Sequence, residues 1–294
     1  MTISLKKVAL PVCLALAYGS LISPFSIYMR SKPFAEKLGY IPQPAVLKAV
    51  AGDQKVLLAD LLVMKSLFYF GSLIETTPAE LILPTDYASI YQTIDAAVKL
   101  DPYNMDAYYF AQAALSWHPE RVKQANALLE YGMRFRDWDY QFPFYLGFNY
   151  AYFLHDYPNA AKYYAKAAEI SGDPLLANLA GRYLYESRQT ELALTYMQAM
   201  EKSAKNETIR KTFQVRIRAL QEVQKIETAL ARYQADFGDI PVTIDDLLHH
   251  GYLQEVPVDP YGGKFFINDA GRVRSTSKFA YAGVKEGKEL EGKK

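Results

Sequence analysis

The sequence predicts a mainly α-helical chain: a solenoid of stacked helix pairs, preceded by an apolar membrane helix and followed by a long helix with a small antiparallel β-hairpin. Three observations carry this. A pattern of about 34 residues recurs between roughly residues 85 and 205, and repeats of that length stack as helix pairs. An uncharged run from Val8 to Met29 opens the chain. Beyond residue 206 the apolar residues keep one unbroken helical period, and a cluster of turn residues then leads into two short strands.

The clearest repeat has Leu146-Gly147 and Tyr150 on its first helix, then Tyr157, Ala160, Tyr164 and Ala167 on its second. The next has Ala180-Gly181 and Leu184, then Ala193, Met197 and Met200. Small residues fall where two helices approach closely, and large ones three or four positions away fill the space between them. Tyr87, Ile90, Ile94 and Ala97, closed by Leu100-Asp101-Pro102, read as the second helix of an earlier copy. Its first helix falls near Val56 to Leu73, across a Thr/Pro-bearing stretch from Glu75 to Asp86. Tyr108, Ala111 and Leu115, followed by Ala125, Leu129 and Gly132, make another. This spacing resembles the tetratricopeptide repeat. The resemblance implies a concave, partner-binding groove lined from the first helix of each pair, which singles out Tyr109, Phe148, Asn178, Arg182 and Tyr185. Of these, Arg182 is suited to a partner carboxylate.

The N-terminal run has 22 residues without a charge, preceded by Lys6-Lys7 and followed by Arg30. As a helix it would span roughly 33 Å, enough for a bilayer core. Two readings compete. One is a cleaved secretory signal, with Ala17 and Gly19 as the small residues before a cut at Ser20. The other is an uncleaved anchor, favoured because apolar residues continue through Leu21, Ile22, Phe25 and Ile27. The basic residues on the two sides balance, but the short leader is that of a signal-anchor with the bulk of the chain exported. That places the chain in a bacterial inner membrane as a single-pass protein, its globular part in the periplasm, or secreted if the signal is cleaved.

Residues 31–53 read as a linker with one turn of helix around Ala45 to Ala51 and Asp53 as the N-cap of the next helix. Residues 54–205 form the repeat region, 206–280 the C-terminal module, and 281–294 a disordered charged tail. In the module, Ile209, Phe213, Ile217, Leu220, Val223, Ile226, Leu230 and Tyr233 describe one helix with a narrow apolar seam, stopped at Gly238. A short helix from Ile244 to His250 comes next. Phe265–Ile267 and Arg272–Thr276 then pair as a hairpin across Asn268-Asp269-Ala270-Gly271. Leu230 and Tyr233 stand nearest the turn, so they are the expected partners of the hairpin's apolar face around Phe266. Phe237-Gly238-Asp239-Ile240-Pro241, Gly251-Tyr252-Leu253 and Val256-Pro257-Val258-Asp259-Pro260-Tyr261-Gly262 resemble the C-terminal domain of type II secretion major pseudopilins. In that family the membrane helix runs directly into the domain, whereas here about 180 residues intervene.

Composition narrows the function. Half of the 294 residues are hydrophobic, and 24 Tyr and 15 Phe suit inter-helix packing. Lys and Arg number 33 against 32 Asp and Glu, which gives no electrostatic footprint for nucleic acid. One cysteine excludes an intramolecular disulfide and a cysteine-based zinc cage. His249 and His250 are adjacent, so on a helix they point about 100° apart and do not readily share a metal. No phosphate loop or nucleophile elbow is present. The expectation is a non-enzymatic adaptor without catalytic residue, metal, cofactor or small-molecule substrate. It would bind a protein or peptide partner during assembly of an envelope machine such as a type IV pilus or secretion system. The alternatives are a structural, pseudopilin-like filament subunit and an envelope enzyme using His249 or His250.

Overall fold

The structure, a computed structural model, describes residues 5–31, 38–75 and 85–279. The predicted tail and most of the stretch between Glu75 and Asp86 lie outside them. The described chain is mainly helical with one two-stranded antiparallel sheet, and it divides into two compact units, residues 1–135 and 136–294.

Unit 1 contains α1 (Leu5–Ser31), α2 (Pro44–Ala51), a 3-10 turn (Gly52–Gln54), α3 (Lys55–Glu75), α4 (Tyr87–Leu100), α5 (Met105–Leu115) and α6 (Val122–Gly132). The described side chains of α1 are exposed, Leu14, Leu16, Leu21, Phe25 and Ile27 at 61–69%. Among the described residues no helix is long and apolar enough to cross a membrane. The side chains of Val8 to Cys13 and of Met29, at the two ends of the uncharged run, are outside the described set. Asp53 lies within the 3-10 turn that feeds α3, so the expected single helix start is a continuous bend. Asp86 and Asn104 cap α4 and α5 by accepting from Ser89 and Ala107 backbone N–H groups, satisfying donors that a helix start leaves unpaired. Pro102 stops α4, and its carbonyl accepts from the Tyr108 hydroxyl at 3.1 Å. Ile90, Ile94, Tyr108, Leu115 and Leu129, all residues of the repeat pattern, are fully buried.

Unit 2 contains α7 (Gln141–Tyr152), α8 (Tyr157–Ser171), α9 (Pro174–Glu186), α10 (Thr190–Lys202), α11 (Glu207–Phe237), α12 (Ile244–His249), β1 (Phe265–Ile267) and β2 (Val273–Ser275). The two helix pairs α7/α8 and α9/α10 superimpose in sequence at a spacing of 33–34 residues. A Cβ on Gly147 would stand 3.0 Å from the Tyr164 ring, and one on Gly181 would stand 3.0 Å from Met197 Cγ and closer still to its sulfur. The two glycines thus perform the same job, close approach to the second helix of their own pair. His155 (φ +51°) and Arg188 (φ +63°) hold the left-handed residue at the same place in the two connections. Tyrosines fill the layers between helices: Tyr164 stacks on Tyr183 at 5.5 Å, and Tyr150 on Tyr163 at 5.5 Å.

The boundary at residue 135 falls inside the predicted repeat region, and within unit 2 α9 and α10 share a core with α11. α11 is the continuous helix expected, capped by Asn206 and closed by Gly238 at φ +78°. Its buried face is wider than a narrow seam, since Ala219, Ala229 and the charged Arg216 are buried with Phe213, Leu220 and Ile226.

In the hairpin Phe265 pairs with Ser275, Phe266 with Arg274, and Ile267 with Val273. This corrects the expected inner face. Phe265 is 8% exposed and Phe266 42%, so the apolar side is that of Phe265 and Val273. Of the two expected partners on α11, Leu230 is buried and Tyr233 is packed against the core that holds Phe265 and Val273. Tyr233 packs on Phe237, His250 and Tyr252, at the end of α11. The hairpin is also bonded to the C-terminal end of α9. The Tyr185 hydroxyl donates to the Val273 carbonyl, Arg272 Nη2 to the Glu186 carbonyl at 2.6 Å, and Arg274 pairs with the Glu186 carboxylate. A cation on the last carbonyls of a helix satisfies acceptors that the helix leaves open.

Candidate functional site

An open cleft of about 820 Å³ lies in unit 2 where α9 meets the hairpin. One wall is the α7–α8 connection, with Tyr152, His155 and Tyr157; the other is the hairpin, with Phe266, Asn268 and Arg274. α9 supplies Arg182, Tyr183, Tyr185 and Glu186, and Lys278 and Phe279 close one end.

Each side chain is fixed by a local cause. The Asp173 carboxylate caps α9, with Pro174 pre-set for the first turn. Three positions in one turn, Arg182, Tyr185 and Glu186, then share a face. The Asp259 carboxylate, 4% exposed, accepts from Ser277 Oγ at 2.6 Å, Tyr261 N–H at 2.9 Å and the Ser275 hydroxyl. It pins the segment after β2, and Gly263 is required beside it because a Cβ would meet the Ser277 nitrogen at 2.6 Å. Phe279 is 4% exposed, 5.1 Å from the Tyr185 ring, and its carbonyl accepts from Arg216 Nη2 at 2.9 Å. The Arg216 guanidinium lies 5.0 Å from the Tyr261 ring centre and 5.3 Å from that of Phe279. Burial lowers its pKa, and the aromatic faces offset part of that desolvation.

The floor of the cleft is aromatic and the rim is cationic. Burial pushes the Tyr185 hydroxyl up to about 12 against the opposing influence of Arg274, so it remains a donor. Burial likewise raises Tyr183. Arg274 is held by Glu186, but neither Arg182 nor Lys278 has a carboxylate partner among the described residues. Arg182 lies 5.8 Å from the Tyr183 ring, and its Nε is enclosed without a hydrogen-bond acceptor. Lys278 sits at φ +53°, a conformation costly for a side-chain-bearing residue. Such an arrangement suits an anion carried on an extended, partly apolar chain.

Of the five groove residues expected from sequence, the cleft brings Arg182 and Tyr185 together. Tyr185 lies at its base, 4% exposed and bonded to the hairpin, so it shapes the floor rather than reaching outwards. Asn178 turns back into its own helix, its Nδ2 donating to the Pro174 carbonyl at 2.9 Å, and it is buried. Phe148 stacks on Tyr152 at 5.4 Å and is not part of the cleft wall. Tyr109 belongs to unit 1, 61% exposed, on a separate groove of about 630 Å³ between α3 and α5. The sequence places His155 at an inter-helix turn but assigns neither it nor Arg274 nor Lys278 to a site. The first was legible as the partner of Arg188 at a 33-residue spacing. The other two depend on where the hairpin folds back.

His250 ends α12, contacts the rings of Tyr233 and Phe237, and has Nδ1 2.8 Å from the Asp246 carbonyl, while His249 is exposed. His118 packs on Tyr87 with ring centres 3.9 Å apart. Comparison with protein-family models, curated proteins and solved structures gave no match.

Proposed function

We propose that this chain is a membrane-anchored adaptor that binds a protein partner without chemistry, in the assembly of a bacterial envelope machine such as a pilus or secretion system. The observation that carries the reading is the cleft of α9 and the hairpin, where Arg182 and Lys278 have no carboxylate partner among the described residues and stand with aromatic side chains. It fits an extended peptide that places a carboxylate between the two cations and an apolar or aromatic side chain on Tyr183 and Tyr157. The tetratricopeptide-like spacing of α7 to α10 and the uncharged run of α1 supply the scaffold and the anchor. Because the hairpin is tied to α9, the pseudopilin-like module and the helix pairs form one binding body. That favours the adaptor over a filament subunit whose repeats merely decorate it.

The test is cross-linking in cells from a photoreactive residue at position 152, on the cleft wall, in the otherwise unaltered chain and with Arg182→Glu or Lys278→Glu added. One discrete adduct, lost on either charge reversal while the protein melts normally, is the expected result. Adducts only between copies of this chain would favour the filament subunit, and an unchanged adduct in both charge variants would remove the cleft from the reading. Carbonate extraction of the same membranes checks the anchor separately: release into the supernatant would refute it.

A further inference from the structure

α3 is apolar on two opposite faces, and only one of them is used within unit 1. Ala59, Leu62, Val63, Ser66 and Tyr69 are buried. On the other side Leu57, Leu61, Met64 and Phe68 stand 54, 52, 48 and 70% exposed. Their steps of four, three and four residues are those of d, a, d and a positions in a heptad seam. At about 100° per residue the four fall within a narrow stripe facing directly away from the buried one. A helix with two apolar faces is a helix that packs between two partners.

The flanking charges identify the second partner. Lys65 borders the stripe on one side, in the e position; on the other Asp60 takes the g position, with the exposed Val56 and Leu67 beside it towards the α5 groove. Among the described residues neither charge has an ion-pair partner; Asp60 Oδ1 accepts one hydrogen bond, from Asn104 Nδ2 at 2.7 Å. In a parallel two-stranded seam a g residue faces the e residue five positions further along the other strand. Asp60 of one copy therefore meets Lys65 of the other, and twofold symmetry supplies the reciprocal pair. In an antiparallel pairing Asp60 would face Asp60 and Lys65 would face Lys65, which is repulsive on both sides. A bilayer surface would solvate the stripe but leaves the placement of opposite charges on its two edges without a use.

We propose that the outer face of α3 is the contact between two copies of this chain, paired in parallel. The seam is the core of that contact, and the two Asp60–Lys65 pairs set its direction. The inference stands on α3 alone and does not depend on what occupies the cleft of unit 2.

The test uses the purified full chain in a Cys13→Ser background. Leu61→Cys should give a disulfide-linked dimer on mild oxidation, since an a position faces its own counterpart in a parallel pair; Gln92→Cys, exposed on α4, should not. Leu61→Asp should sediment as a monomer with its helical signal intact, because the residue it replaces is half exposed, and its melting temperature should lose the protein-concentration dependence of the unaltered chain. Asp60→Lys should weaken association, and adding Lys65→Asp to the same chain should restore it. A chain that sediments as a monomer throughout overturns the proposal. So does a mixed cross-link between Leu57→Cys and Phe68→Cys chains in place of the Leu61→Cys dimer, which would mark an antiparallel pair. Burial of a fluorophore at position 61 in vesicles of neutral lipid, with no dimer at any concentration, would assign the face to the bilayer instead.

Discussion

Arg188 and Gly147 show how single residues carry the helix-pair geometry, and they make opposite predictions. Arg188 is exposed and holds φ +63° so that the Gln189 N–H can reach the Leu184 carbonyl at 3.0 Å and close α9. The left-handed conformation costs an ordinary residue about 1–2 kcal/mol, and glycine returns some of that as unfolded-state entropy. Nearby Arg272 also feels the like charge of Arg188. Arg188→Gly should therefore stabilise unit 2 by about 0.5–1 kcal/mol, measured by chemical denaturation. Gly147→Leu should destabilise it by about 1–3 kcal/mol or more, because the Tyr164 ring is held by Tyr183 and Phe144 and has nowhere to go. A stable Gly147→Leu would mean that α7 and α8 do not approach as described. The close approach of these glycines was legible in the sequence, since Gly147 and Gly181 recur with large residues at fixed offsets. Asn178 was not, because a side chain that bonds to its own helix looks, in a sequence, like one aimed at a partner.

At the scale of elements, α10 and α11 meet across a half-buried carboxyl. The Glu227 side chain accepts from Thr190 Oγ1 at 3.1 Å, yet burial raises its pKa, with Thr190 and Arg272 opposing. A folded pKa above the unfolded one means that the protonated form is the better tolerated in the native state. The stabilising contribution is thus present below the ordinary carboxylate range and lost as pH rises through the folded value. Glu227→Gln keeps the acceptor for Thr190 and removes the charge. It should raise the melting temperature near pH 7, with the advantage over the unaltered protein shrinking as pH falls towards about 4. An advantage that is constant with pH would show that Glu227 is well solvated. The same scale explains why the hairpin's face was misread. Strands of three residues give too few alternations to fix which side is apolar, so Phe265 and Phe266 are equivalent in sequence. Only the route of the chain decides, through the Asp259 attachment to Ser275 and Ser277. The buried Arg216 was hidden for the related reason that a cation within an apolar period reads as a solvated position.

For the whole molecule, the two units predict where damage stops. Unit 1 closes its own core around Tyr108, Leu115, Leu128 and Leu129, all almost fully buried. In unit 2 the segment after residue 236 contributes Leu247, Phe265, Val273 and Phe279 to the core shared with α9 and α11. Fully burying a large apolar side chain is worth about 1.5–3 kcal/mol, so these four approach the net stability of a typical domain, about 5–15 kcal/mol. Truncation after Asp236 also leaves Arg216 and the Glu186 carboxylate without their partners, and a buried charge so exposed costs more than the pair contributed. The sequence alone suggests that such a truncation would spare the repeats. The structure divides that expectation: α9 and α10 should loosen with α11, and unit 1 should not respond. Calorimetry of the intact chain should then resolve two transitions, of which truncation removes or strongly lowers one and leaves the other in place. Hydrogen exchange should assign the lost protection to residues 174–235, and protection unchanged across α9 would show that the hairpin does not hold it.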